Sequence, residues 1–208
     1  MKHPKALWLA IPLFLLTACV DTEGDRMMRL GTNYYNDGYY ELAEKELRKA
    51  LDHPFYEFGR EEVLTTLGNT YNELEEYDSA IVYHQKALAI DPEYVEALVN
   101  VGIVYRLIGE YGKAEEHYMR AHAINPNDPE LNASLGALMI FTEDIPKALT
   151  YLEKAIVLDG TLAVSHANYS YALALDGQFE KAEQELAKAD ELGYQNTESL
   201  TEMINELR

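Results

Sequence analysis

Thiols are nearly missing from this chain: Cys19 is the only cysteine in 208 residues. That excludes a disulfide within one chain and any site built on two of its own thiolates. Basic residues are scarce, with 17 Lys and Arg against 36 Asp and Glu, a net charge of −19. A field of that sign repels phosphodiester backbones and anionic lipid, so nucleic acid is not expected as a partner. Glycine and proline number 12 and 7, which excludes collagen-like and low-complexity chains, and 48% apolar composition excludes full disorder. Tryptophan occurs once, at Trp8, whereas tyrosine occurs 16 times. The N-terminal apolar run, 6–16, falls short of the roughly 20 residues a spanning helix needs. What remains is a globular chain of a length that suits one domain or a short array of repeats.

The first residues read as an address. Lys2 and Lys5 precede the apolar run, the arrangement of an export signal. The run ends Leu16-Thr17-Ala18-Cys19. These four residues resemble the lipobox of bacterial lipoproteins. The resemblance implies cleavage before Cys19, diacylation of its sulfur and acylation of the new N-terminus. Two or more acyl chains hold a protein on a membrane far better than one. Val20, rather than an acid, follows the cysteine, which by the same resemblance points to the outer membrane facing the periplasm. Cleavage would remove Lys2, Lys5 and Trp8, leaving a net charge of −21 and no tryptophan.

The rest repeats with a period near 34. A small residue recurs at Gly31, Gly68, Gly102, Gly136 and Ser170. An alanine follows twelve positions later each time, at Ala43, Ala80, Ala114, Ala148 and Ala182, and a second seven further on, at Ala50, Ala87, Ala121, Ala155 and Ala189. The pattern resembles the tetratricopeptide repeat (TPR) family. The resemblance implies an all-α, right-handed superhelical solenoid of five helix pairs with a capping helix. Its expected units are signal peptide 1–18, lipidated cysteine and tether 19–26, repeats 24–57, 61–94, 95–128, 129–162 and 163–196, and the cap 197–208. Within each pair the small residue is expected to face the first alanine, letting the backbones approach. Asp91-Pro92, Asp128-Pro129 and Asn196-Thr197 read as helix-starting signals. In the cap, Leu200, Met203, Ile204 and Leu207 form one apolar stripe. Three extra residues separate repeats one and two, and the aromatics there, Phe55, Tyr56 and Phe58, are expected to pack on adjacent helices, with a partner-binding loop as the alternative.

No nucleophile elbow, phosphate loop, dinucleotide fingerprint or zinc-protease motif is present. No catalytic residue, metal site, cofactor or small-molecule substrate is expected, and the six histidines read as solvated or interface side chains. In the TPR family the concave groove is lined from the first helix of each pair. Carried over position by position, the partner-binding groove is Met28, Thr32, Tyr35, Asn69, Asn72, Val99, Ile103, Arg106, Ile140 and Tyr171. Family members that bind chaperone C-termini carry several Lys, Arg and Asn there. This groove has Asn69 and Arg106 but no lysine, so that clamp is not supported, although Arg106 could still fix a partner carboxylate. The expected function is a membrane-anchored, non-catalytic scaffold binding protein partners in envelope complex assembly, of the pilus, secretin or outer-membrane type. The alternative is an adaptor of a cell-wall enzyme.

Overall fold

The computed structural model describes residues 22–208. Cys19, its lipobox and Trp8 lie outside them. Eleven α-helices and no strand occur among the described residues. They pair in chain order: α1 (Glu23–Asn36) with α2 (Tyr40–Ala50), α3 (Arg60–Glu73) with α4 (Tyr77–Ile90), and α5 (Val95–Leu107) with α6 (Tyr111–Ile124). Then come α7 (Pro129–Phe141) with α8 (Ile145–Leu158), α9 (Ala163–Leu175) with α10 (Phe179–Glu191), and the terminal α11 (Thr197–Glu206).

Each pair is folded back by the same device. The residue seven after the small one takes a left-handed backbone in all five: Gly38, Glu75, Gly109, Glu143 and Gly177, with φ between 58° and 81°. Glycine adopts that region freely, whereas a side chain is strained there. Glu75 and Glu143 therefore hold a conformation that the other three turns give to glycine.

The packing inside each pair corrects one expectation. All ten alanines of the pattern are fully buried. Yet the glycines do not chiefly face the first alanine. A Cβ on Gly31, Gly68, Gly102 or Gly136 would come within 2.4–2.6 Å of Leu47, His84, Tyr118 or Leu152 respectively. The glycine is a socket for one large side chain from the second helix, four residues beyond the first alanine. Only Ser170 behaves as first read, its hydroxyl donating to the Ala182 carbonyl at 2.7 Å.

Consecutive odd-numbered helices touch one another, from α1·α3 through α9·α11, whereas the even helices α2, α4, α6, α8 and α10 touch only odd-numbered ones. The odd helices thus form the tighter, inner wall of a curved array. At its end α11 packs on α9 and α10. Its stripe is divided: Ile204 is buried and Leu200 half-buried, but Met203 and Leu207 stay exposed. Asn196 makes no side-chain cap, and the Thr197 hydroxyl instead donates to Asp190. Asp128 does cap α7, accepting from the Leu131 N–H, with Pro129 at the first helical position. Asp91-Pro92 does not start a helix; α5 begins at Val95, and Asp91 accepts from the Glu93 N–H within the loop.

The extra segment between the first two pairs is anchored by Asp25, which no motif marked. Its carboxylate, fully buried, accepts from the backbone N–H groups of Tyr56, Glu57 and Phe58 at 3.1–3.4 Å and lies 2.7 Å from the Thr22 hydroxyl. Burial pushes the Asp25 carboxyl up, but the bonds from Thr22 and from those three N–H groups outweigh it and hold it at about 2. Phe55 and Phe58 pack on the core between the pairs, as expected, whereas Tyr56 remains 77% exposed.

Candidate functional site

The inner wall carries a chain of connected hollows. The largest, about 670 Å³, lies at the C-terminal end. Helix α7 supplies Ala137, Ile140 and Phe141, α9 supplies Asn168, Tyr171 and Leu175, and the cap region supplies Tyr194, Leu200 and Met203. Three large apolar groups are left in water here: Phe141 at 52% exposure, Met203 at 42% and Leu175 at 36%. Exposed apolar surface gathered in a concavity is the usual mark of a binding site. A smaller hollow of about 270 Å³ adjoins it, sharing Ala137 and Asn168 and adding Ile103, Arg106, Glu130 and Ser134.

The residues singled out from the sequence fall unevenly on this wall. Ile140 and Tyr171 line the large pocket, Ile103 and Arg106 the adjoining one, and Val99 a third beside α7. Thr32 lines a shallow hollow near the start of the array. Tyr35, Asn69 and Asn72 are half-buried on α1 and α3, and the Asn72 carbonyl oxygen is buried without a partner. Met28 is corrected: at 2% exposure it is a core side chain, showing only an edge to that hollow. Its position, three before the small residue, is buried in four of five repeats because it faces the neighbouring pair. Ile103 and Ile140 also lean on the core, so they are walls rather than free anchors. Of the exposed anchors, Phe141 and Leu175 escaped the sequence reading, and Met203 was read only as part of the cap stripe. Phe141 and Leu175 each lie five after the small residue, one beyond the position the family register marks.

Charge divides the groove. Around its N-terminal half Glu57, Glu61, Glu62 and Glu96 gather. Burial pushes the Glu62 carboxyl up, and the repulsion of Glu96, Glu61 and Glu57 adds to this against one backbone hydrogen bond at Gly59. Tyr35 is raised in the same way, by burial and then by Glu73. The C-terminal half is apolar, with Glu143 as the one acid lining the large pocket. Arg106 stands between the halves, half-buried, with its guanidinium 5.5 Å from the Phe141 ring centroid.

Two histidines take the interface place rather than the solvated one. His84 is fully buried in the Gly68 socket, and neither ring nitrogen has a partner. Burial lowers it to about 4. His166 is 2.6 Å from Glu185 and 3.2 Å from the Gly160 carbonyl, tying α9 to α10 and to the preceding loop. Among the described residues no three His, Cys, Asp or Glu side chains gather as a metal site, and no helix is long and apolar enough to cross a membrane.

Residues 25–52 and 59–127 each match a family profile described as tetratricopeptide repeat. No curated protein is significantly similar to the chain. Among solved structures, a thermophilic TPR protein of Thermus thermophilus superposes with a TM-score of 0.72 at 20% identity, over 88% of this chain and 98% of that one. Residues 41 to the end of MamA from Desulfovibrio magneticus RS-1 superpose with a TM-score of 0.66 at 22% identity, over 82% of this chain and 94% of that one. At those identities the likeness concerns the fold. The chain therefore carries tetratricopeptide repeats, stacked as helix pairs into the TPR solenoid.

Proposed function

We propose that this protein is a lipid-tethered, non-catalytic scaffold of the bacterial envelope that holds a segment of a partner protein in its inner groove. The observation that carries the reading is the large pocket: it gathers the exposed side chains of Phe141, Leu175 and Met203 in one concavity of the inner wall. Such a surface suits an apolar segment docking along the inner helices. The tether rests on Leu16-Thr17-Ala18-Cys19 and the run before it. Val20 after the cysteine favours the outer membrane, and the work we assign is assembly or support of an envelope complex. The acidic half of the groove favours a partner with basic residues on one flank and speeds its approach at low salt.

Leu175→Glu together with Met203→Glu places charge in the pocket while altering two exposed side chains. The double variant should melt as the wild type does and lose its partner in a pull-down from its own cells. Unchanged capture by a normally folded variant would move the binding surface elsewhere. Separately, Cys19→Ser should shift the protein out of the membrane fraction. A Cys19→Ser protein that is still cleaved at the same point and still sediments with membranes would end the lipoprotein reading. The processed wild type should also show tyrosine emission alone, since Trp8 precedes the cleavage point.

A further inference from the structure

The sequence has seven arginines, all of them within the described residues. Arg26, Arg29, Arg48 and Arg208 meet carboxylates, while Arg60 and Arg120 donate to backbone carbonyls. Among the described residues Arg106 alone has neither a carboxylate nor a carbonyl acceptor, and its Nε is buried without a partner. This happens in a chain with 36 acidic residues. A guanidinium is always charged, and leaving it half-buried without an anion is costly unless an anion arrives.

Its surroundings hold it ready. The guanidinium lies over the exposed Phe141 ring, a cation–π arrangement that fixes its plane at the mouth of the large pocket. Beneath it the Tyr118 hydroxyl, fully buried, faces Arg106 and Ser134 without closing a well-formed hydrogen bond with either. Burial raises Tyr118, and the Arg106 charge opposes that rise. Ser134 and Asn168 line the same hollow and add hydrogen-bond donors. Glu130, on the exposed rim, also lines it but forms no ion pair with Arg106.

We propose that Arg106 is the carboxylate subsite of the groove, taking an internal Asp or Glu side chain of the bound segment. Ser134 and Asn168 assist, and the segment's apolar residues fill the pocket against α11. This rests on the groove reading above. The carboxylate belongs to an internal residue because the groove continues on both sides of Arg106. The acidic half around Glu62 and Glu96 lies one way, and the apolar pocket lies the other. A chain ending at Arg106 would leave one half empty. Charge therefore orders the occupant: a basic stretch over repeats one to three, a carboxylate at Arg106, then large apolar side chains toward the cap.

The probes are short acetylated, amidated peptides with two lysines at one end and a Leu-x-x-Phe anchor at the other. Glu is placed at each intervening position in turn, and every peptide has a Gln twin. Binding to the full processed chain is read by fluorescence anisotropy. At one spacing the Glu peptide should bind about tenfold more tightly than its Gln twin, the range expected of a charge-assisted pair. Arg106→Gln should erase that difference, with a thermal melt confirming the fold. If Glu and Gln twins bind equally at every spacing, the subsite is refuted and the groove stands. If the twins are equal and only peptides with a free C-terminus gain from Arg106, the site takes a chain end and the internal-residue assignment is overturned. If no peptide binds at all, the groove reading falls, and this proposal with it.

Discussion

Replacing His84 by leucine should stabilise the protein at neutral pH and flatten its response to acid. His84 occupies the socket that Leu47 and Leu152 fill in two other repeats, so a leucine side chain fits the register. As it stands, two ring nitrogens are buried without partners. Buried polar atoms left unsatisfied cost about 1–3 kcal/mol, so the substitution should gain about 2 kcal/mol at pH 7.5. The acid response follows from the ring's own titration. Burial holds it at about 4 against an ordinary 6.5. The unfolded chain therefore takes up the proton first. The stability linked to the neutral ring is intact above pH 6.5 and drains away as pH falls toward 4. Linkage gives a loss of about 2 kcal/mol by pH 5 and about 3 kcal/mol by pH 4. Urea melts of wild type and His84→Leu at pH 7.5 and pH 5.0 make the comparison, with hydrogen exchange in α3 and α4 as the local reading. The variant should lose less stability than wild type over that interval, by about 2 kcal/mol. Equal losses in the two proteins would refute the reasoning, as would a variant less stable than wild type at pH 7.5.

Glu75→Gly and Glu143→Gly relieve a left-handed backbone and should each raise stability by up to about 1 kcal/mol in urea melts. Gly102→Ala drives a Cβ to within 2.5 Å of the Tyr118 ring and should cost about 1–3 kcal/mol, seen as an earlier thermal midpoint. Asp25→Asn removes the carboxylate that gathers three N–H groups, so the amides of Tyr56, Glu57 and Phe58 should exchange faster. In the wild type the same amides should lose protection as pH falls from about 4 toward 2, because a carboxyl held low gives its stability above its ordinary value and loses it through the lowered one. Deleting 197–208 bares the α9–α10 face that Ile204 covers and should start melting at that end, with lowered solubility.

The repeat spacing predicted the helix pairs because it recurs, and recurrence averages out local accidents. The left-handed turn residues Glu75 and Glu143 fall at the same place in the repeat as Gly38, Gly109 and Gly177, an alignment that the backbone brought out. What each glycine is for was misread. Spacing tells which residues share a face, but not which neighbour fills a gap, and the large residue at Leu47, His84, Tyr118 and Leu152 was passed over for the nearer alanine. The same limit applies to Met28: one turn of helix decides whether a side chain faces the groove or the next pair. Asp25 looked like any acid near a helix start, because its partners are backbone amides about thirty residues away. The cap stripe split between core and pocket because α11 packs on both α9 and α10, and periodicity on α11 alone does not tell which of its residues meet them.

That split gives the last helix two loyalties. Ile204 belongs to the core, while Met203, one residue before it, forms the wall of the large pocket. Terminal repeats of a solenoid have a neighbour on one side only, and fraying begins there. An occupant of the pocket would touch α7, α9 and α11 at once and close the seam along which the array opens. By mass action a ligand at a hundred times its dissociation constant adds about 2.7 kcal/mol to the state that binds it. Here that increment would fall on the C-terminal end. Recognition and the endurance of that end are then one equilibrium. A chain that has lost its partner would be the one whose tail opens first to proteases.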